Sequence, residues 1–577
     1  MPHPDSRAEP AASLAPAPVQ GDLTGRPDRA ASGLADVLLV VRTATTLNRL
    51  LDVVPVFADD HRVRLHWTIA PGSAYDDGLP ELLERHRIHL TPWAEAVRHR
   101  YGLALAASAN GRLHQLRAPL LLLPHGAGFN KRLGGHGSGA PGGPSGLTAG
   151  QLLHRGRPVA AAIGLGHPAQ LARLALSCPP AAARAVLVGD PCHDRIRASL
   201  PWRDEYRRAF GLRAGQQLVV VSSTWGPASL SRRHPELLTR LLAELPVDEY
   251  RVALVLHPNE WAQHGAFGLR LRQHSARTAG LIAVPPHEGW RAALVAARVL
   301  IGDHGSVSLY AAAAGLPVLL ATDGGGELDP ASPMSELIST APQLDLDAAL
   351  LPQLAESLAP AVLPPGAFAA EDGSLALLAE LAYRRLGLTP PARTPTAEPV
   401  PLPRPDTTTP ARRLTVHTTL LAPATPDRPA LVRLERHPSG LTELHPAPAR
   451  PAPDGHTRRH RLAELTPESG RAAQSASVLT SHDPDPDPGW PARALERHPA
   501  CRIAAVVLDR HRCLLRLRTG ELLTTTLRGD ADPLLAVSAL HHLLTAGQPV
   551  PRSVRIEIGG HRYTATIDRA EPAEPGT

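Results

Sequence analysis

Short, nearly all-apolar runs alternate with helix-like stretches twice along this chain, and no other feature narrows its fold so far. In the first set, Asp36–Val41 (DVLLVV), Arg62–Ile69, Gly102–Ala107, Leu120–Leu123, Val159–Ile163 and Ala185–Val188 read as strands. Thr45–Phe57, Leu79–His86 and Pro168–Leu176 read as the helices between them. Gly189-Asp190-Pro191 breaks the chain, Trp202–Phe210 reads as a helix, and the pattern restarts. Strands are expected at Leu218–Ser222, Arg251–Leu256, Leu281–Val284, Val299–Gly302 and Pro317–Ala321, with helices at Pro235–Glu244, Gly289–Ala297 and Val307–Ala314. Strands without polar alternation are buried on both faces, which requires parallel sheets covered by helices on each side.

At about 150 residues per domain, 577 residues imply three or four domains, and the two sets make two of them. They are predicted at 33–190 and 191–388, the second closed by a helix at Ser374–Leu386, with a ligand cleft between them. Pro390 to Pro410 holds eight prolines in 21 residues, so 389–411 reads as a stiff linker. A chain cut after Gly387 is accordingly expected to keep a folded core. Residues 412–499 stay poorly defined: strand-like fragments lie among loops, and Asp483–Pro488 (DPDPDP) suits neither helix nor central strand. Order returns in a small α/β domain at 500–570, with strands around a helix at Pro533–Thr545. The phrase L-E-R-H-P, at Leu434–Pro438 and Leu495–Pro499, hints at a duplicated β unit. Residues 1–32 lack an apolar h-region and read as a disordered lead-in, not a signal peptide.

Composition removes several chemistries. Of the 60 basic residues only Lys131 is a lysine. It precedes Arg132, so no G-x-x-x-x-G-K-S/T phosphate loop exists, and a pyridoxal Schiff base could form only there. Sixty basic against 54 acidic side chains, net +6, with no long basic tract, makes nucleic acid an unexpected partner. The four cysteines have no C-x-x-C spacing and fit a reducing cytosol. The 29 histidines show no H-E-x-x-H, so no metal site is expected. No apolar run approaches the ~20 residues of a membrane span.

Four segments could carry chemistry, each following a strand. His125-Gly126-Ala127-Gly128 ends in Lys131-Arg132: the glycines permit close approach, His125 could move a proton and Lys131 could hold a phosphate, against a plain glycine-rich turn. Asp303-His304-Gly305-Ser306 opens a helix whose free N–H groups and dipole suit a phosphate, against a plain N-cap by Ser306. Leu256-His257-Pro258 holds its histidine extended at a sheet edge. Ser223-Thr224-Trp225 offers hydroxyls and an aromatic face.

Together these segments resemble the CDP-glycerol glycerophosphotransferase family over about residues 35–340. The family's His-Gly loop with a lysine is matched by His125-Gly126 and Lys131, and its Leu-His-Pro by Leu256-His257-Pro258. Its helix start followed by G-x-P-V is matched by Asp303–Ser306 and Gly315-Leu316-Pro317-Val318, although His304-Gly305 replaces Tyr-Ser. Its Pro-Thr-Trp segment resembles Ser223-Thr224-Trp225, and its domain junction resembles Gly189–Asp194. The resemblance implies an α/β fold of two facing Rossmann-like domains, the GT-B arrangement, and a bacterial, cytoplasmic transferase, with a peripheral place at the inner membrane face left open. It would move a glycosyl or polyol-phosphate group from a nucleotide-diphosphate donor to a hydroxyl acceptor, such as a cell-wall or lipid-linked glycan, without metal or other cofactor. His125 and His257 are its catalytic candidates. Gly126, Lys131, Asp303, His304, Gly305, Ser306, Ser223 and Thr224 are its donor-binding candidates. UDP-N-acetylglucosamine 2-epimerases share much of this skeleton, and an inactive nucleotide- or partner-binding protein of the same shape is a further alternative.

Overall fold

The computed structural model describes residues 34–132, 143–356, 358–369, 373–406, 410–442, 445, 457–467, 469–483, 487 and 489–570. The lead-in expected at 1–32, much of the glycine tract after residue 134 and the middle of the DPDPDP run lie outside them.

Both expected sheets form, and both are wholly parallel. The first comprises β1 (Ala35–Val41), β2 (Val63–Ile69), β3 (Leu103–Ala106), β4 (Leu120–Leu122), β5 (Ala162–Leu165) and β6 (Ala185–Leu187), in the order β2-β1-β3-β4-β5-β6. Helix α1 (Ala44–Val53) follows β1 through a capping box in which the hydroxyl of Thr43 accepts from the N–H of Thr46. β5 starts three residues later than expected because Val159 N–H is taken by Leu152 carbonyl in a small hairpin. After α2 (Pro191–Ser199) the second sheet comprises β7 (Gln217–Ser223), β8 (Tyr250–Leu256), β9 (Ile282–Val284), β10 (Val299–Gly302) and β11 (Val318–Leu320), in the order β9-β8-β7-β10-β11. Helix α3 (Pro258–Arg272) leaves β8 and α4 (Ser306–Ala313) leaves β10. The strand order reverses between β7 and β10, the switch point where open parallel sheets leave a crevice.

The boundary at 388 needs correction. Helix α5 (Ser374–Leu386) returns to the first domain, where Leu375, Leu378, Leu381 and Tyr383 join the core beneath β1 and α1. Tyr383 Oη donates to Asp60 at 2.7 Å and Ser374 N–H to Asp194 at 2.9 Å. Nothing in an amphipathic helix states which of two apolar sheets it will cover.

Residues 389–406 and 410–411 carry no helix or strand, and the segment is strapped to the core. Val400 is buried in the second domain's core; its N–H donates to Ser199 Oγ at 2.9 Å and its carbonyl accepts from Tyr206 Oη at 2.7 Å.

The division at 499 is also corrected. Nine strands among the described residues form one closed barrel: β12 (Arg413–Ala422), β13 (Leu431–Pro438), β14 (Thr457–Glu464), β15 (Val478–Ser481), β16 (Ile503–Val507), β17 (Arg512–Leu517), β18 (Leu522–Leu527), β19 (Ser553–Ile558) and β20 (His561–Arg569). β12 pairs with both β13 and β14, and β13 runs parallel to β19, so the poorly defined region supplies four of the strands. The apolar helix α6 (Leu534–Thr545) packs into its core. The barrel is joined to the second domain by Arg436, fully buried, whose guanidinium donates to both oxygens of Asp248 at 2.6 and 2.7 Å and to Asp532 at 2.7 Å.

A chain ending at residue 388 is therefore expected to unfold at lower temperature than the full chain. Removing Val400 alone exposes a side chain worth ~1.5–3 kcal/mol, and Asp248 loses its buried partner. Equal melting midpoints for the two chains would show that strap and barrel add nothing to the core.

A pH dependence follows from the barrel's histidines. His460 and His541 are buried with ring centroids 4.3 Å apart. Burial first, then neighbouring charge, lowers both; His541 falls to about 4. The folded state thus keeps them neutral, so their contribution to stability is complete above the ordinary histidine pKa of about 6.5. It is lost as pH falls below that value, at up to ~1.4 kcal/mol per pH unit for each ring. Urea midpoints should be level above pH 7 and decline from pH 6.5 to 4.5, less steeply in His541→Gln. Parallel profiles for both proteins would contradict this.

Candidate functional site

The carboxyl ends of both sheets open onto one cleft between the domains, enclosing a cavity of about 260 Å³. Its walls bring together, from distant parts of the chain, His125, Gly126 and Lys131 of the first domain and Ser223, Thr224, His257, His304, Gly305 and Ser306 of the second. The approach is close: a Cβ on Gly126 would stand 2.9 Å from Ser306 Oγ.

Backbone contacts set the two cleft histidines in opposite tautomers. His125 Nδ1 lies 3.1 Å from the Ala107 carbonyl and must donate to it, leaving Nε2 as the acceptor. His257 caps α3, its Nδ1 accepting from Asn259 N–H at 3.1 Å, so Nε2 carries the proton. Burial lowers the pKa of both, with Arg49 adding to the effect on His125. Lys131 and His125 add to that on His257, which falls to about 3. At neutral pH the cleft therefore holds one imidazole that can take a proton and one that can donate a hydrogen bond.

Lys131 spans the domains. Its Nζ donates to the Trp225 carbonyl at 2.7 Å and to Glu327 Oε2 at 3.3 Å, and stands 4.4 Å from the centre of the Trp225 ring. Burial lowers its pKa despite the opposing pull of Glu327. Burial pushes the Glu327 carboxyl up, but the Ala228 N–H and Lys131 outweigh that and hold it low. Neighbouring backbone pairs across the same gap, Arg132 N–H donating to Glu327 carbonyl at 2.9 Å and Asp329 N–H to Asn130 carbonyl at 2.7 Å.

The helix start of α4 differs from the plain N-cap reading. Gly305, not Ser306, is the cap residue, and no side chain caps this end. Ser306 Oγ instead donates to the Ala127 carbonyl across the cleft at 3.2 Å. His304 is buried with Nε2 3.3 Å from Glu327 Oε2, while its Nδ1 has no hydrogen-bond partner among the described residues. The free N–H groups of this uncapped helix end are suited to an anion, whereas His304, donating from Nε2 to the Glu327 carboxylate, keeps Nδ1 as an acceptor.

Asp303 is not part of the cavity wall. Fully buried, it accepts from Thr224 N–H (2.8 Å), Leu230 N–H (2.9 Å) and Gly305 N–H (3.0 Å), tying the loop after β7 to the loop after β10. Ser223 lines the cavity, but its hydroxyl is engaged with Thr224 carbonyl and Ser231 Oγ. These contacts make Asp303 and Ser223 supports of the loops.

Two sets of residues at the cavity or in contact with its lining were missed in the sequence. Glu327 sits after Gly324-Gly325-Gly326, in the loop that follows β11, and glycines after a strand were the available signal. In the second set, Arg49, Asp52, Arg291 and Tyr310 line the cavity and Asp190 and Arg195 pair with them. Arg49 donates to both oxygens of Asp190 (2.7 and 3.0 Å) and to Tyr310 Oη, whose own hydroxyl reaches Asp190 at 2.9 Å. Asp52 pairs with Arg291 at 2.5 Å and Arg195 at 2.8 Å. Arg49 and Asp52, three apart on one face of α1 within an apolar sequence, were the visible sign. Among the described residues, no group of three or more His, Cys, Asp or Glu side chains is arranged to hold a metal ion, and no helix is long and apolar enough to cross a membrane.

No family model matches the sequence, and no curated protein matches it. Among solved structures, a variant of the wall teichoic acid polymerase TagF is similar at 11% identity, covering 61% of this chain and 89% of that one, with a TM-score of 0.38. MnaA of S. aureus, solved with UDP, is similar at 10% identity over 63% of this chain and 100% of that one, with a TM-score of 0.39. UDP-GlcNAc 2-epimerase from Neisseria meningitidis, bound to UDP-GlcNAc, is similar at 11% identity over 50% and 82%, with a TM-score of 0.32.

Proposed function

We propose that the chain is a GT-B-type transferase that moves a glycosyl or polyol-phosphate group from a nucleotide-diphosphate donor to a hydroxyl acceptor. The opposed tautomers of His125 and His257, facing one cleft, carry this reading. His125 Nε2 takes the acceptor's hydroxyl proton as the oxygen attacks. His257 Nε2–H and the uncapped start of α4 bind the donor's diphosphate and stabilise the charge that develops on the leaving nucleotide, a nucleoside diphosphate in glycosyl transfer and a nucleoside monophosphate in polyol-phosphate transfer. Lys131 lends a third positive contact, released in part from Glu327 when phosphate arrives. Incubation with radiolabelled CDP-glycerol and a panel of UDP-sugars, with and without polyol or glycan acceptors, tests this by nucleotide release. Saturable donor binding without release would make the chain a nucleotide-binding protein, and neither binding nor release would remove the reading.

Lys131→Arg is expected to cost ten-fold or more in turnover, about 1.4 kcal/mol, nearly as much as Lys131→Ala. A compact ammonium fits between Trp225 and Glu327, whereas the broader planar fork of arginine directs its donors elsewhere. Steady-state kinetics of both variants, with Glu327→Gln as the partner control, checks this. A silent Lys131→Arg would reduce Lys131 to an interdomain charge.

A further inference from the structure

Away from the cleft, the far half of α3 carries an apolar face that packs on nothing. Gly265, at φ 65° and ψ 158°, breaks the helix, and residues 266–272 wind on as a separate stretch. Leu269 anchors this stretch in the core of the second domain. On the other side Phe267 is 74% and Leu271 67% exposed, four residues apart and so neighbours on one face. Single exposed apolar side chains are common, but two large ones side by side mark a contact surface. The charge around them is of one sign. Arg270 and Arg272 flank Leu271 and are exposed, as is Arg232. Arg272 and Arg232 share the ring of His264, whose Nε2 lies 3.0 Å from the first and 3.4 Å from the second. No aspartate or glutamate stands between Glu260 and Glu288 in the sequence. Glu260 is buried against His264 at 3.5 Å, and Asp406 is taken by Arg277 at 3.2 Å. Among the described residues, none of Arg232, Arg270 and Arg272 is paired with a carboxylate.

We propose that this face docks on the surface of an anionic lipid bilayer. Phe267 and Leu271 enter the boundary between headgroups and acyl chains, and the three arginines stay among the lipid phosphates with their stems along the apolar layer. Free phosphate matches only the charge and would leave both apolar side chains in water. A stable protein interface takes roughly 20–30 residues from each side, far more than two apolar side chains and their arginines supply, whereas a bilayer needs only side chains that can sink into it. The docking face is independent of the cleft and of the activity proposed there.

Co-sedimentation of the full chain with vesicles of phosphatidylcholine alone, and of equimolar phosphatidylcholine and phosphatidylglycerol, tests this. Expected are saturable binding to the mixed vesicles, at least ten-fold weaker partitioning onto phosphatidylcholine, and weakening as salt rises and screens the arginines. Phe267→Ser with Leu271→Ser should lower partitioning onto the mixed vesicles at least ten-fold, and so should Arg270→Gln with Arg272→Gln. No binding to mixed vesicles would overturn the proposal and leave a protein as the partner of this face. Equal binding to both kinds of vesicle would overturn it as well. Undiminished binding in the apolar double variant would do the same, because it would show adsorption by the net charge of the chain rather than by this face. Should that variant fail to fold by circular dichroism, Phe267→Trp decides. Its added emission, relative to wild type, should move to shorter wavelength with mixed vesicles and not with phosphatidylcholine, and an unmoved emission overturns the assignment.

Discussion

Replacing His125 by alanine is expected to lower turnover by about 10²–10⁴-fold with little change in stability. The ring is reached from the cleft, and its side-chain hydrogen bond among the described residues is to the Ala107 carbonyl, so its loss removes a base without opening a core. The pH profile of the wild-type enzyme separates this role from simple positioning. Burial, then Arg49, holds the pKa of His125 below the ordinary histidine value. The unprotonated base therefore persists as pH falls through 6.5, and activity should decline only in more acid solution. His257, neutral down to about pH 3, contributes no limb above that. Kinetics of nucleotide release from pH 5 to 8, for wild type and His125→Ala, provide the check. A His125→Ala enzyme of ordinary rate would end the general-base assignment.

Asp190→Ala should produce the largest loss of stability, about 3–5 kcal/mol. The carboxylate is buried between Arg49 of the first domain and Tyr310 of the second, and without it a guanidinium is left in the interior uncompensated. Asp190 also caps α2, accepting from the N–H groups of Cys192 (2.9 Å) and His193 (3.1 Å), so about 1 kcal/mol more goes with the cap. Set against total stabilities of about 5–15 kcal/mol, such a loss endangers folding at 37 °C. Replacing the pair together, Arg49→Met with Asp190→Leu, should recover part of the deficit, because it removes both charges at once. Denaturant midpoints for wild type, Asp190→Ala and the double variant measure it. A double variant no better than the single one would show that the cap or the packing, not the ion pair, carries the effect.

The sequence alone determined the parts of this protein that depend on local pattern. Runs such as DVLLVV and VLIG have no polar face, so they could only become strands buried on both sides, and both parallel sheets follow. The placement of candidate residues after strands is likewise legible, since strand ends deliver His125, His257 and the Ser306 helix start to one cavity. The lysine count singled out Lys131 before any contact was known. Tertiary structure decided everything that depends on which surface meets which. Helix α5 had an apolar face but no address, and only packing sent it back under β1. The barrel escaped notice because its closure joins strands far apart in sequence, β12 with β14 and β13 with β19, across proline-rich loops. Asp303 looked like a ligand contact but turned inward to bind three N–H groups, while Glu327, Arg49 and Asp190 looked ordinary. Burial and pairing confer these roles, because a charge acquires its effect from the partner and the dielectric around it, and both are properties of the folded chain.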